Sequence, residues 1–362
     1  MNIGVNCCHL SDKTDGAKTR LINFYSLTVK KKKNSKFIFF VPNNLNLKEF
    51  RKNFTSSNVI FHKINIYSHD IIKRFLLGLF FWPIMFKKYN LDYFDQSYLP
   101  LFIFFKRKTK IILTIHDLRY LYFSLDFFYR YLIFKPVVKI GIYFSDILIT
   151  VSKHIKNDLK KITNKKIIVI SNFINNEKFN SKNKKILNDK FIFSIGHSEK
   201  RKNLDNLIKA FMYIKLNGYK GNLVICTNQG LELNKLEKLR SEHPYIHSIK
   251  ILKNQNNQSV FELYKYCELF VLPSLYEGFG IPILEAAYHK KVIILSSIPV
   301  FKEITFNRLQ YFDPNDPKKI SAKIISILKN KNKQQNLINL TSRVSKHYSS
   351  EKIVKEFNKL FV

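Results

Sequence analysis

Two series of short, almost wholly apolar runs constrain this chain more than any other feature. MNIGVNC, KFIFFVP, NVIFHKI, KIILTIHD and DILITVS follow one another through the first 170 residues, and KFIFSIG, GNLVICT, IHSIKIL, LFVLPS and KVIILSS follow after residue 190. A strand that is apolar at nearly every position must be covered on both faces, which is the situation of a parallel sheet with helices on either side. Segments between the runs, such as Arg20 to Val29, His154 to Lys161, Leu204 to Asn217 and Ser259 to Tyr266, space their apolar residues as helices do. Each series therefore predicts one doubly wound α/β domain. The stretch SNFINNEKFNSKNKKILNDK, Ser171 to Lys190, has few large apolar residues and reads as a linker. At 362 residues the chain exceeds the roughly 250–300 residues at which single cores stop growing. The expected organisation is residues 1–172 as a first domain, 173–190 as linker, 191–345 as a second domain and 346–362 as a C-terminal helix free to pack back on the first. Ligands of open α/β sheets bind outside the carboxyl ends of the strands, so two such domains facing each other would make a cleft walled by strand-to-helix turns.

Composition points to an anionic partner. The chain carries 62 Lys and Arg against 26 Asp and Glu, a formal charge of +36, which suits nucleic acid, a membrane surface or a phosphorylated substrate. Lys, Asn, Ile, Phe and Tyr are all abundant together, as codons rich in A and T would produce, so part of this charge is compositional. The runs KKKKN at Lys30 and NKNKQQNLIN near Lys329 read first as solvated loops. No zinc finger, basic zipper or RNP-like string accompanies the charge, which weighs against a nucleic-acid reader. The four cysteines, at 7, 8, 226 and 267, form no CxxC and lie far from any His-x-x-x-His. Neither a zinc site nor a disulfide framework is expected, and a reducing cytoplasmic address fits. MNIGVNCCHL has no basic segment leading into an apolar core, so no signal peptide is expected.

The most apolar stretch, FLLGLFFWPIMF from Phe75 to Phe86, is 12 residues long and flanked by Lys73, Arg74, Lys87 and Lys88. A bilayer span needs about 20 residues. Two readings stay open: a helix buried in the core, or one lying in a membrane interface with its basic ends on anionic headgroups.

The turn chemistry concentrates in LPSLYEGFGIPILEAA, Leu272 to Ala287. LFVLPS is a strand, LYEGFG a turn, and IPILEAAYHK a helix with Pro282 in its first turn, where a missing amide proton costs little. Gly278 and Gly280 let main chain approach a ligand, and amides at a helix start receive phosphate or sugar oxygens. Glu277 stands before that turn and Glu285 about one helical turn beyond it. A carboxylate accepts two hydrogen bonds, and vicinal sugar hydroxyls supply two.

PSLYEGFGIPILEA resembles the signature of retaining glycosyltransferases of family 4, which have the GT-B fold of two facing Rossmann-like domains. The resemblance implies that Glu277 lies against the transferred sugar, that Glu285 binds the nucleotide ribose, and that the Gly278, Phe279, Gly280 and Ile281 amides hold sugar and diphosphate. FIFSIGHSEKRKNLDNLIKAF, Phe191 to Phe211, resembles the family segment in which a basic pair before Asn-Leu neutralises the diphosphate. Arg201 and Lys202 match that pair and Gly196 the strand-end glycine. Where some relatives place a basic residue after this glycine, the chain has His197, which leaves more of the task to 201 and 202.

In ILTIHDLRYLYF the dipeptide His116-Asp117 ends a strand, and the resemblance implies that His116 contacts the donor sugar while Asp117 orients it or the acceptor. SDKTDGAKTRLINFY resembles the family's first loop, with Gly16 as the approaching glycine, although relatives often have two glycines there. DILITVSKHIKNDL resembles the strand and helix before the linker, with Ser152 as a helix cap. YFDPNDP, Tyr311 to Pro317, also looks like the family. In AYHKKVIIL, Lys290 or Lys291 must make a turn that relatives give to glycine.

The expected activity is thus that of a retaining, metal-independent glycosyltransferase that uses a nucleotide sugar and no cofactor, with His116, Glu277, Arg201 and Lys202 catalytic. No Asp-x-Asp occurs, so the diphosphate is expected on Arg201, Lys202 and a helix N-terminus and not on a bound metal. KRFLLGLFFWPIMFKK, LFIFFKRKTK and FFYRYLIFKPVVK mix aromatic and basic residues in the first domain, which suits a lipid-linked or lipopolysaccharide acceptor at the inner face of the cytoplasmic membrane. RKNL and HDL incline the donor towards mannose or a related hexose. Competing readings are a catalytically silent scaffold of the same fold, a basic nucleic-acid-binding protein, and a nucleotide-sugar epimerase of similar architecture.

Overall fold

The computed structural model describes all residues except 13–15, 69, 71–72, 74–75, 98–107, 123–127, 176–186, 188, 229 and 362. The chain divides into two compact units, Met1–Phe173 with Ser350–Val362, and Ile174–Ser349. Most of the expected linker, and most of the aromatic and basic segment at 101–110, lies outside the described residues, while the segment at 127–139 falls in the helix Phe128–Phe144 apart from residue 127.

In the first unit the described strands are β1 (Asn2–Asn6), β2 (Lys36–Pro42), β3 (Val59–Ile64), β4 (Tyr93–Gln96), β5 (Lys110–Ile115), β6 (Ile147–Thr150) and β7 (Ile167–Val169). They form one parallel sheet ordered β3-β2-β1-β4-β5-β6-β7. The second unit holds β8 (Phe191–Ile195), β9 (Asn222–Thr227), β10 (Ile249–Lys253), β11 (Leu269–Leu272), β12 (Val292–Ser296) and β13 (Gln310–Phe312), ordered β10-β9-β8-β11-β12-β13 and again parallel. The central strands are buried along their length, as continuous apolar runs require: Ile3, Val5, Phe37, Phe39, Ile192, Phe193, Phe270 and Val271 are all fully buried. At the centre of the first sheet, a Cβ added to Gly4 would stand 2.7 Å from Leu91 Cδ1 and 3.0 Å from Phe94 Cδ2, so only glycine lets those side chains close over β1.

Three strands do not announce themselves in the sequence. β4 is four residues long and reads YFDQ, and β7 and β13 have three residues each. Their places come from pairing with longer neighbours. The run NKNKQQNLIN, expected as loop, instead opens the helix Lys331–His347, whose N-cap Asn330 accepts from the Lys333 amide at 2.9 Å. A good side-chain cap and the buried Leu337, Thr341 and Val344 outweigh its polar composition. Lys30 and Lys31 likewise close the helix Gly16–Lys31, where cations suit the C-terminal carbonyls. Ser152 caps the helix Lys153–Lys160, accepting from Ile155 N at 3.2 Å.

That helix Lys331–His347 keeps the chain in the second unit as far as Ser349, beyond the expected edge at 345. The helix Ser350–Asn358 then packs on the helix Gly16–Lys31, with Phe357 edge-on to Phe24 at 4.8 Å and to Tyr25 at 5.6 Å. Lys32 Nζ donates to the Phe361 carbonyl at 2.9 Å.

The Phe75–Phe86 stretch is part core and part surface. A π-helical turn, Leu77–Phe81, runs into the helix Trp82–Lys88. Trp82, Met85 and Phe86 enter a core cluster with Ile38, Phe40 and Phe94. Leu76, Phe80 and Ile84 face outward, Phe80 at 70% and Ile84 at 61% exposure. Among the described residues no helix is long and apolar enough to cross a membrane.

Candidate functional site

In each sheet the strand order reverses once, between β1 and β4 and between β8 and β11. The connections leave these neighbours in opposite directions, which opens a crevice at their carboxyl ends. In the second unit the loops bordering that crevice are residues 196–203, after β8, and 273–280, after β11.

These two loops bring three of the expected site residues into direct contact. Arg201 and Lys202 sit in a single 3-10 turn, Lys200–Lys202. Arg201 NH1 lies 3.1 Å from Glu277 Oε2 and Lys202 Nζ lies 2.5 Å from Glu277 Oε1. Ser274 Oγ donates to Glu277 Oε1 at 2.9 Å, and Glu199 Oε2 takes Arg201 Nε at 2.7 Å. Arg201, Lys202 and Glu277 are each 8% exposed, so these contacts act largely without solvent screening. Gly196 makes room for the lysine stem, because a Cβ there would stand 3.2 Å from Lys202 Cδ.

Burial works to raise the Glu277 carboxyl, but Lys202 and Arg201 outweigh it and hold the group down at about 2. Burial lowers the Lys202 ammonium, with Glu277 opposing and Arg201 adding to the fall. Arg201 is thus shared between Glu277 and the partly exposed Glu199, while Lys202, among the described residues, meets Glu277 alone.

The turn after Glu277 ends at Gly280, whose φ of 113° no residue with a Cβ adopts easily. Gly280 is the N-cap of the helix Ile281–Tyr288, and Pro282 stands in that helix's first turn. Phe279 buries its ring edge-on against Tyr348 at 5.5 Å, so main chain is what this residue has to offer a ligand. At the far end Lys290 takes the left-handed turn with φ 52°, and the Lys290 and Lys291 amides close on the Ala287 and Ala286 carbonyls at 3.0 and 3.1 Å. Those two bonds offset the strain of a non-glycine C′ residue.

Glu285 is one helical turn into Ile281–Tyr288, where its Oε2 accepts from Tyr264 Oη at 2.8 Å. Burial pushes this carboxyl up to about 7, with the tyrosine bond pulling the other way. The sequence reading treats Glu285 as a simple ionised hydroxyl acceptor. In the structure its surroundings raise the carboxyl above the ordinary glutamate range.

His116 and Gly16 belong to the first unit. His116 follows β5; its Nε2 is shielded from solvent without a hydrogen-bond partner, and burial together with the Arg20 guanidinium pushes the imidazole down to about 4. Asp117 turns to Arg119, accepting from its amide at 3.2 Å and standing 3.7 Å from its Nε. Gly16 opens the helix Gly16–Lys31, and residues 13–15 of its loop lie outside the described residues. The sequence reading passed over a buried cluster at the first switch point: Tyr25 Oη donates to Asp95 Oδ2 at 2.5 Å, and Arg20 NH1 donates to Asn172 Oδ1 at 2.7 Å. Burial pushes Asp95 up to about 6, with Tyr25 and Arg20 opposing. A polar residue inside YFDQ, where a central strand should be apolar, was the available signal. Ser274 and Tyr264 were also passed over, and both are ordinary residues whose partners come from elsewhere in the chain.

Two parallel-sheet domains of this topology, with buried cations at a switch point, define the class of GT-B folds. The solved structure of Anabaena Alr3699/HepE in complex with UDP-glucose is similar over 99% of both chains, at a TM-score of 0.76 and 14% identity. Residues 36–178 match the model of Glycosyltransferase Family 4, and residues 175–343 match that of Glycosyl transferases group 1. The chain belongs to glycosyltransferase family 4. Among curated relatives, the O-antigen chain mannosyltransferase RfbU of Salmonella typhimurium is 30% identical over 223 residues, 59% of this chain and 60% of the relative. The serotype-specific mannosyltransferase WbdA of Escherichia coli is 35% identical over 132 residues, 36% of this chain. The chain thus spans 60% of the first relative's length and 16% of the second's.

Proposed function

We propose that this protein is a retaining glycosyltransferase that moves a hexose, with mannose favoured, from a nucleotide-diphosphate sugar to a lipid-linked or cell-surface polysaccharide acceptor. The observation that carries this is the Arg201–Glu277–Lys202 cluster at the β8/β11 switch point, beside a helix N-terminus entered through Gly280. Family membership and the mannosyltransferase relatives support the activity and the choice of hexose.

In this reading Arg201, Lys202 and the main chain of 278–281 take the diphosphate, Glu277 and His116 take sugar hydroxyls, and Glu285 takes the ribose. The bond from the anomeric carbon to the phosphate oxygen breaks while the acceptor oxygen bonds to that carbon on the same face. The departing phosphate receives the acceptor proton. Charge grows on the diphosphate as the bond breaks, so fixed buried cations stabilise the transition state more than the ground state. They supply this without a divalent metal.

A panel of nucleotide sugars read by thermal shift identifies the donor, since a ligand at 100 times its Kd stabilises by about 2.7 kcal/mol. NMR of the product anomer then tests retention, and inversion of the donor linkage refutes the mechanism.

The acceptor places the protein at the inner face of the cytoplasmic membrane. Leu76, Phe80 and Ile84 project outward beside the exposed Lys73, Lys87 and Lys88, an apolar ridge with basic flanks that suits anionic headgroups over an acyl boundary. Vesicles containing anionic phospholipid at low salt should retain the wild-type chain and release the Phe80→Asp/Ile84→Asp variant. Equal retention of the two refutes the ridge.

A further inference from the structure

Asn203 follows the two cations and has no role in the reaction as drawn above. It is 3% exposed and holds φ 56° and ψ 31°, in the left-handed region. Its Nδ2 donates to the Pro273 carbonyl at 3.0 Å, in the loop after β11, and to the Pro314 carbonyl at 2.7 Å, in the loop after β13. Its Oδ1 accepts from Asn206 Nδ2 at 2.9 Å, and the same Asn206 group reaches the Pro314 carbonyl at 3.2 Å. One side chain thus joins the loops at the carboxyl ends of β8, β11 and β13. Beside it, the Leu275 amide donates to the Arg201 carbonyl at 2.7 Å, a second tie between the β8 and β11 loops.

Few residue types satisfy these demands together. Asparagine is among the non-glycine residues that tolerate the left-handed region, and it alone of that group brings two side-chain donors and an acceptor. Aspartate keeps the backbone but offers only acceptors to two carbonyls, and glycine keeps the backbone and offers nothing. Arg201 and Lys202 are like charges on adjacent residues, and their contact with Glu277 on another loop does not by itself fix the loop separation. The ties through Asn203 and Leu275 fix it independently of charge.

We propose that Asn203 is a positioning residue of the donor site: it sets the β8 loop against the β11 loop, so that Arg201 and Lys202 are held where the diphosphate is received. This rests on the donor-site reading above, and it adds a residue that acts through those cations without touching the substrate.

The test uses the full chain with Asn203→Gly, Asn203→Asp and Asn206→Ala. Melting temperature, Kd for a nucleoside diphosphate by calorimetry, and KM and kcat for donor and acceptor are measured under conditions where circular dichroism shows the variants folded. The expected result is a rise of about tenfold or more in Kd and in donor KM for both position-203 variants, since small misplacements of binding groups cost that much or more. Acceptor KM should hold, and Asn206→Ala should move donor Kd and KM the same way by a smaller factor. Donor Kd and KM within twofold of wild type in folded Asn203→Gly overturn the inference, whatever the melting temperature. Should neither position-203 variant fold, Asn206→Ala decides, and an unchanged donor Kd there overturns it. Failure of the wild-type chain to bind any nucleoside diphosphate refutes the donor-site reading itself, and the inference with it, which is a different result from weakened binding in the variants alone.

Discussion

Replacing Glu277 by glutamine removes one charge and almost no volume, yet it takes the carboxylate from buried Lys202 and leaves the adjacent Arg201 with Glu199 alone. A carboxyl held at about 2 instead of 4.5 favours its ionised form over a free glutamate by roughly 3 kcal/mol. Measured losses on breaking buried pairs, about 3–5 kcal/mol, agree. Glu277→Gln should therefore lose about 3 kcal/mol at pH 7, or roughly 6–12 °C in the melting of a unit of this size. The sign of the pH dependence follows from the direction of the shift. The folded-state value lies below the unfolded one, so the wild-type contribution is complete above about pH 4.5 and fades as pH falls towards about 2, with roughly half left near pH 3. Urea titrations of both proteins at pH 7 and pH 3 measure the gap and its narrowing. Inorganic pyrophosphate should stabilise the variant more than the wild type, because it supplies the missing anion to both cations. A variant within about 0.5 kcal/mol of wild type at pH 7, the range of ordinary surface substitutions, would show that the three groups do not form the buried cluster and would refute the reasoning.

Burial pushes the Glu285 carboxyl up to about 7, so under the proposed function, in which it takes the ribose, affinity for a nucleoside diphosphate should rise as pH climbs through neutrality and the carboxylate forms. Tyr264→Phe deletes the hydrogen bond that opposes the upward shift and should move that rise to higher pH, seen as displaced curves of Kd against pH. If buried cations do the work of a metal, transfer rates should be unchanged in excess EDTA, and a full loss restored by magnesium refutes that assignment. Gly280→Ala forces a Cβ into φ 113° and should cost about 1–3 kcal/mol in unfolding titrations, with weaker donor binding because the helix start moves.

Much of the candidate site is legible in the sequence because its residues are local in the chain. The turn 277–281 and the pair at 201 and 202 are contiguous motifs, and strand, turn and helix around each follow from apolar periodicity, helped at 281 by a proline in the first turn. What the sequence could not hold was partnership. The Tyr264 bond to Glu285 spans 21 residues, and that between Tyr25 and Asp95 spans 70. Nothing near Glu285 in the chain predicts a carboxyl at about 7, because its burial is made by residues brought from elsewhere.

The sequence by itself pointed to two parallel, doubly covered sheets, since successive short runs such as KFIFFVP and GNLVICT, alternating with helical segments, need cover on both faces. It also determined where charge and glycine meet at strand ends. Only the tertiary structure decided which outward residues of the Phe75–Phe86 segment stay exposed, that a lysine at 290 takes a left-handed turn, and that Glu277 stands between Arg201 and Lys202. Local propensity fixes what each residue can do. Burial and the pairing of distant loops fix its charge state and its partner, since both depend on what surrounds a group and not on what precedes it in the chain.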